Sequence, residues 1–185
     1  VLDDGSTDGT SEVLNRLVAE DERLAVINGA EELPEGWYGK AWALHRAQQQ
    51  ATSEWLVFVD ADVCLHPQAV SSVVAYAEQE AVDMVSGIGR LEMLSFWEKV
   101  MQPAVAGLIL AGNNMDDVND PKREDRVLAN GQFIAIRRPA YDNAGGHESV
   151  RQNVLDDVGL AQSAVSSGAK YRFLVLRELF SCRMY

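Results

Sequence analysis

At 185 residues the chain is long enough to bury a substantial core within one domain, and 47% hydrophobic against 24% charged residues is the balance of a soluble globular protein. Its 28 Asp and Glu outweigh 16 Lys and Arg, a formal net charge of -12. A field of that sign, with no basic cluster to break it, repels nucleic acid and anionic membrane surfaces, and a phosphate ligand then needs a cation or a few placed basic groups.

The first half alternates strand and helix signals. Val1-Leu2 reads as the stub of a buried strand, so the N-terminal strand is expected to be truncated. Asp8-Gly9-Thr10 supplies turn and N-cap chemistry for a helix expected to bury Val13, Leu14, Leu17 and Val18. A short strand is predicted over Leu24 to Ile27, then a loop from Glu31 to Gly39 and a helix from about Lys40 to Ala51. Trp55 to Val59 is a continuous apolar run, the pattern of a central strand covered on both faces. After Pro67, residues Val70, Val73, Val74 and Ala77 recur at helical spacing, and Ala81 to Val85 reads as a further strand. This alternation predicts an α/β fold with right-handed crossovers and a mostly parallel central sheet flanked by helices.

The second half is less regular. A helix is predicted over Ser95 to Leu110, a polar, mobile loop over Asn113 to Asp125, and a strand over Phe133 to Ile136. An amphipathic helix over Asp156 to Ser167, closed by Gly168, leads to a last strand over Tyr171 to Leu176. Without repeats or a linker, a single domain is expected. Cys64 and Cys182 lie far apart and lack metal-ligand spacing, so a cytoplasmic, reducing compartment is the default reading. The longest apolar run, around Pro103 to Gly112, is shorter than the ~20 residues of a membrane span.

Open α/β sheets bind ligands at the carboxyl ends of their strands. Asp3-Asp4 and Asp60-Ala61-Asp62 both occupy such ends. An extended Asp-x-Asp brings two hard oxygen ligands to one side, which suits Mg²⁺ or Mn²⁺ completed by waters and substrate phosphates. An Asp after a strand also serves simply as a turn or cap, the reading preferred for Asp8. Asp156-Asp157 opens a helix, where carboxylates offset the dipole. Lys40 opens another, where a cation is disfavoured by the dipole; a ligand-facing role and a solvated surface lysine both fit. His147, after Gly145-Gly146, is read as structural more readily than functional, and His45 and His66 as structural or exposed.

Taken in order, these segments resemble the inverting nucleotide-sugar transferases of family 2 with the GT-A fold, over nearly the whole chain. Val1-Leu2-Asp3-Asp4-Gly5-Ser6 looks like the family's nucleotide-binding segment, which implies that Asp4, with Asp3, contacts the base. Gly39-Lys40 looks like the helix start beside the donor, and Asp60-Ala61-Asp62 like the metal motif. Asp156-Asp157 with Leu160-Ala161 looks like the acidic pair whose second member, Asp157, is the general base. Cys182-Arg183-Met184-Tyr185 falls where the family has Gln-x-x-Arg-Trp, which implies a donor or acceptor contact for Arg183, although Tyr185 replaces Trp and the Gln is missing. Gly36-Trp37-Tyr38-Gly39-Lys40 and Gly145-Gly146-His147 look most like the hopanoid-associated and ceramide-type branch, which glycosylates lipids.

The resemblance implies a nucleotide-binding half over about 1–90, an acceptor-binding half over about 91–185, a UDP-sugar donor, Mg²⁺ or Mn²⁺, and a hydroxyl acceptor such as a lipid. It also implies membrane association through segments outside this chain, at the inner face of the membrane. Two alternatives stay open. Val57-Phe58-Val59-Asp60-Ala61-Asp62 also fits an aspartyl-nucleophile phosphohydrolase, with Ser86 and Asp156-Asp157 as its partners. A non-catalytic nucleotide-sugar-binding module is the other.

Overall fold

In the computed structural model, residues 1–29, 32–112, 114–120, 123 and 126–183 are described, without the side chains of 109 and 110. The chain runs β1 (Leu2–Asp3), α1 (Thr10–Glu20), β2 (Ile27–Asn28), α2 (Gly39–Gln49), β3 (Trp55–Val59), β4 (Val63–Leu65), α3 (Ala69–Gln79), β5 (Met84–Ile88) and β6 (Arg90–Leu91). It continues through α4 (Phe96–Gly112), α5 (Met115–Val118), β7 (Phe133–Arg137), α6 (Arg138–Asn143), α7 (Gly146–Ser149), α8 (Asp156–Ser166), β8 (Tyr171–Val175) and β9 (Phe180–Cys182).

The central sheet has the order β3-β7-β5-β8. Strands β3, β5 and β8 share one direction, and β7 runs against them, antiparallel to both β3 and β5. The mostly parallel sheet expected from β-α alternation is therefore a mixed one. The exception comes from the second half, whose β7 inserts between two strands of the first and pairs Ala135 with both Val57 and Val85.

Flanked on both sides and covered on both faces, β7 buries Phe133, Ile134, Ala135 and Ile136. Period-two alternation sends Phe133 and Ala135 to one core, with Val73 and Ala77 of α3 and Phe180 of β9. Ile134 and Ile136 go to the other core, with Leu160 and Ala164 of α8 and Phe173 of β8. At roughly 1.5–3 kcal/mol for each large side chain fully buried, these two layers supply the main drive to fold.

Beside this sheet lie two smaller ones, the parallel pair β1-β2 and the three-stranded β4-β9-β6. β4 pairs antiparallel with β9, and β6 pairs parallel with it. β4, β6 and β9 are too short to carry a periodic signal, and none was expected.

Three local differences separate the observed elements from the expected ones. The strand expected at Ala81 to Val85 starts later because Ala81 takes φ 51 and ends α3, with Val82 N–H bonding Ala77 O at 2.8 Å. α1 buries none of its residues; Val13, Leu17 and Val18 are exposed, contrary to expectation. The loop predicted as mobile contains α5, with Val118 buried. Asn113, Pro121, Lys122, Glu124 and Asp125 of that stretch lie outside the described residues.

α4 is set by a reciprocal cap. Glu98 N–H donates to Ser95 Oγ at 3.2 Å, and the Glu98 carboxylate accepts from Leu94 N–H at 2.6 Å and Ser95 N–H at 3.2 Å. Those N–H groups and Arg183 hold the Glu98 carboxyl down at about 2. Among the described residues, no helix is long and apolar enough to cross a membrane.

Asn119 closes the free edge of β8. Its Oδ1 accepts from Phe173 N–H at 2.7 Å and its Nδ2 donates to Phe173 O at 3.1 Å, so one side chain does the work of a neighbouring strand. Asn119→Ala leaves both backbone groups without those partners and is expected to cost about 1–3 kcal/mol, read as a lower midpoint in urea unfolding.

Candidate functional site

The apolar run of β3 ends at Val59, and the chain then turns, with Val63 N–H bonding Asp60 O at 3.2 Å, out of the central sheet into β4. Asp60-Ala61-Asp62 therefore occupies a corner between two sheets, beyond the hydrogen-bonding ladder of either. Opposite it, Lys40 Nζ lies 2.9 Å from Asp60 Oδ1. Burial works against the charge on Lys40, but Asp60, Asp156 and Asp157 outweigh it and raise the ammonium pKa. That answers why a cation stands in the first turn of α2, against the helix dipole. Both partners are substantially exposed, and such a pair is worth about 0.2–1 kcal/mol. It organises the cleft and does little to hold the fold.

Asp156 and Asp157 open α8. Asp157 Oδ1 accepts from Val158 N–H at 2.8 Å, and its Oδ2 from Gly131 N–H at 2.7 Å. Gly131 lies in the segment leading into β7, and this segment is braced from below. Ser86 Oγ donates to Asn130 O at 3.1 Å and accepts from Asn130 N–H at 2.9 Å, while Tyr171 OH donates to Leu128 O. Side chains of Asn130 and Gln132 bond each other at 3.0 Å. Ser86, a partner in the phosphohydrolase reading, is fully buried and engaged in this brace and does not line the cleft described next.

Lys40, Asp60, Asp62, Asn130, Gly131, Gln132 and Asp157 line one open cleft of about 370 Å³, within the range of ligand sites. Lys40, Asp60, Asp62 and Asp157 were all legible in the sequence. Asn130, Gly131 and Gln132 were missed; the signal was an Asn-Gly dipeptide just before a strand, which passes for an ordinary turn. A Cβ on Gly131 would lie 3.0 Å from Lys40 Nζ and 3.4 Å from Asp157 Oδ2, so the absence of a side chain there keeps ammonium and carboxylate close.

Asp3, Asp4 and Arg183 are not among the residues lining this cleft. Asp3 accepts from Ser6 N–H at 3.0 Å and Ser11 Oγ–H at 2.5 Å, bonds that tie β1 to α1 and lower its pKa. Asp4 is exposed, and β1 packs against α2, the helix that carries Lys40. Arg183 follows Cys182, the partner of Val63, so the ladder places its backbone level with Asp62. Its guanidinium nevertheless turns to Glu98 Oε1 at 3.1 Å. Met184 and Tyr185, the end of the expected terminal motif, lie outside the described residues.

Among the described residues, no three His, Cys, Asp or Glu side chains are grouped to hold a metal ion by themselves. Asp60 and Asp62 supply hard oxygen donors at the cleft wall, a set that fits Mg²⁺ or Mn²⁺ when substrate phosphates and waters complete the shell.

The chain matches the family described as Glycosyl transferase family 2 over residues 1–153. A 4,4'-diaponeurosporenoate glycosyltransferase of Staphylococcus aureus is 23% identical over 167 residues, 90% of this chain and 43% of the relative, so the chain spans less than half of that protein. Glucosyl-3-phosphoglycerate synthase from Mycobacterium tuberculosis, solved with Mn²⁺ and UDP-glucose, superposes with TM-score 0.55 at 20% identity, over 100% of this chain and 60% of that one. S. aureus TarS 1-349, solved with UDP-GlcNAc, gives TM-score 0.63 at 14% identity, over 100% and 49%. At these identities the solved structures establish a shared fold.

Gly131→Ala is expected to cost under about 1 kcal/mol, because a flexible lysine end can yield, and so to move the melting temperature by no more than about 4 °C. It should push the Lys40 ammonium by a few tenths of an ångström and perturb its pair with Asp60, read as a changed Lys40 Nζ resonance. Asp156 tests the electrostatics. Its pKa is raised by burial first and by Asp157, with Lys40 pulling the other way. A carboxyl raised on folding contributes stability below its unfolded value of about 3.9, and that contribution is lost as pH rises through the folded value. Asp156→Asn is therefore expected to melt above the wild type at pH 7, with the gap closing towards pH 4.

Proposed function

The chain belongs to glycosyl transferase family 2 and has its GT-A fold, and on that premise we propose that it is the catalytic domain of a metal-dependent inverting glycosyltransferase, moving a sugar from UDP to a hydroxyl acceptor. One observation carries the proposal: Lys40, Asp60 with Asp62, and Asp157 come from three separate segments and line one cleft. The UDP-glucose with Mn²⁺ and the UDP-GlcNAc bound in structures of the same fold support the choice of donor and cation.

In this reading residues 1–90 serve the donor and residues 91–185 the acceptor. Asp60 and Asp62 would hold Mg²⁺ or Mn²⁺, which when bound neutralises charge building on the diphosphate leaving group. Lys40 adds a positive charge on the same side, and Asp4 with Asp3 orients the base from β1. Asp157 takes the proton of the acceptor hydroxyl as that oxygen attacks the anomeric carbon from the face opposite the diphosphate, which inverts the configuration. The backbone N–H groups of Gly131 and Val158 keep its carboxylate in one orientation. Arg183 reaches the donor or acceptor by exchanging its bond to Glu98. A lipid acceptor is supported by the similarity to a 4,4'-diaponeurosporenoate glycosyltransferase and by Phe96, Trp97 and Leu108, exposed on α4. With a lipid acceptor the reaction is placed at the cytoplasmic face of a membrane, engaged through segments outside this chain.

UDP release from UDP-sugars, measured with and without Mn²⁺, tests the reading; no release in either condition would sink it. Asp157→Asn is expected to lower turnover about 10²–10⁴-fold, the usual worth of a general base, with UDP affinity nearly unchanged. Asp62→Ala should instead weaken Mn²⁺-dependent UDP binding, seen by calorimetry. Normal turnover in Asp157→Asn removes Asp157 from its role.

A further inference from the structure

A small cavity of about 10 Å³ adjoins the cleft, sharing Lys40, Asp60 and Asp157 with it and adding Asp156, Phe58 and His147. That volume admits one water-sized oxygen. The mechanism above leaves His147 unused, yet the chain goes to some length to install it. Gly145 and Gly146 take φ 78 and φ 53, and a Cβ on Gly146 would lie 2.7 Å from the Tyr141 ring. The turn thus lays its backbone flat against Tyr141 and delivers His147 to the interior, where both side chains are 2% exposed.

Counting protons on Tyr141 settles the state of the imidazole. Tyr141 OH accepts from His147 N–H at 3.0 Å and lies 2.8 Å from His147 Nδ1. If Nδ1 carried the proton, the phenol oxygen would take two N–H donors and its own proton would be left without an acceptor in a buried site, a costly arrangement. The satisfied arrangement has the phenol donating to Nδ1, which leaves the ring proton on Nε2. Phe58 packs against the imidazole in a T-shaped contact, with ring centroids 4.7 Å apart. Burial first, then His45 and Lys40, push the His147 pKa down to about 4, so the ring is neutral at cellular pH.

We propose that His147 is a positioning residue for the transfer: held as the neutral Nε2–H tautomer by Tyr141, it offers one permanent hydrogen-bond donor to a hydroxyl-sized oxygen beside Asp156 and Asp157. In the resting protein that oxygen is water; in the working complex it is an acceptor hydroxyl or the water hydrogen-bonded to one. The chemistry suits the place. The opposite tautomer would present a lone pair to a carboxylate-lined cavity, and an imidazolium would compete with Lys40 for the same carboxylates. Only the identity of the oxygen rests on the transferase reading, since the tautomer follows from buried geometry alone.

Two measurements test this. Long-range ¹H–¹⁵N spectra of the intact protein labelled in histidine are expected to show His147 with a bare Nδ1 and a protonated Nε2 from pH 6 to pH 8; Tyr141→Phe should mix or reverse the tautomers. A protonated Nδ1, or titration within that range, overturns the proposal. In turnover, His147→Gln places an amide N–H near the position of Nε2, whereas His147→Asn and His147→Phe do not. The expected result is near-normal turnover for Gln and a loss of about 10–100-fold for Asn and Phe, with UDP affinity unchanged. Equal turnover in all three variants, each unfolding cooperatively, would leave His147 a packing residue. A wild-type protein with the Nε2–H signature but no transfer would sink the transferase reading while upholding the locked tautomer.

Discussion

Like charge forced together is the constraint around which this molecule is organised. Asp60, Asp62, Asp156 and Asp157 crowd one region with Lys40 as the ammonium among them. Carboxylates so placed repel one another; the pKa of Asp156 is raised by burial first, with Asp157 and Asp60 adding to it and Lys40 opposing it. Lys40 offsets part of that repulsion, and a bound divalent cation would offset more. In the proposed function the cation would supply that charge, and the diphosphate would meet the Lys40 ammonium on the same side of the cleft.

Holding such groups in register takes support that bears no charge. The segment leading into β7 is braced by Ser86 and Tyr171 from the strands β5 and β8, and it passes that rigidity to Asp157 through a single N–H of Gly131. The same glycine keeps space for Lys40. A second support, Tyr141 with His147 and Phe58, adjoins the region next to the core. The first rests on β5 and β8 and the second on β3, all strands of the mixed sheet, so the geometry of the cleft depends on that sheet.

Much of this was legible in the residues. The apolar run at β3, the helical spacing in α3 and the acidic start of α8 each carry a local signal, and each element lies within a residue or so of its expected bounds. Carboxylates at strand and helix ends were equally plain, because buried strands seldom end in Asp-x-Asp without reason. α1 misled because its apolar stripe is real but stays exposed in this chain. The stretch around α5 misled in the opposite sense, since Asn119, a residue typical of loops, grips the edge of β8.

Local chemistry alone therefore specified the longer elements and where the acidic groups fall on them, for these depend on periodicity and on capping. Contacts across long separations decided the rest: β7 entering antiparallel between β3 and β5, Gly131 meeting Asp157, and His147 closing on Tyr141. Backbone pairing and close approach between distant segments leave no periodic trace in composition, because they are properties of packing. A small turn and a lone histidine look ordinary until the fold brings the carboxylates to them.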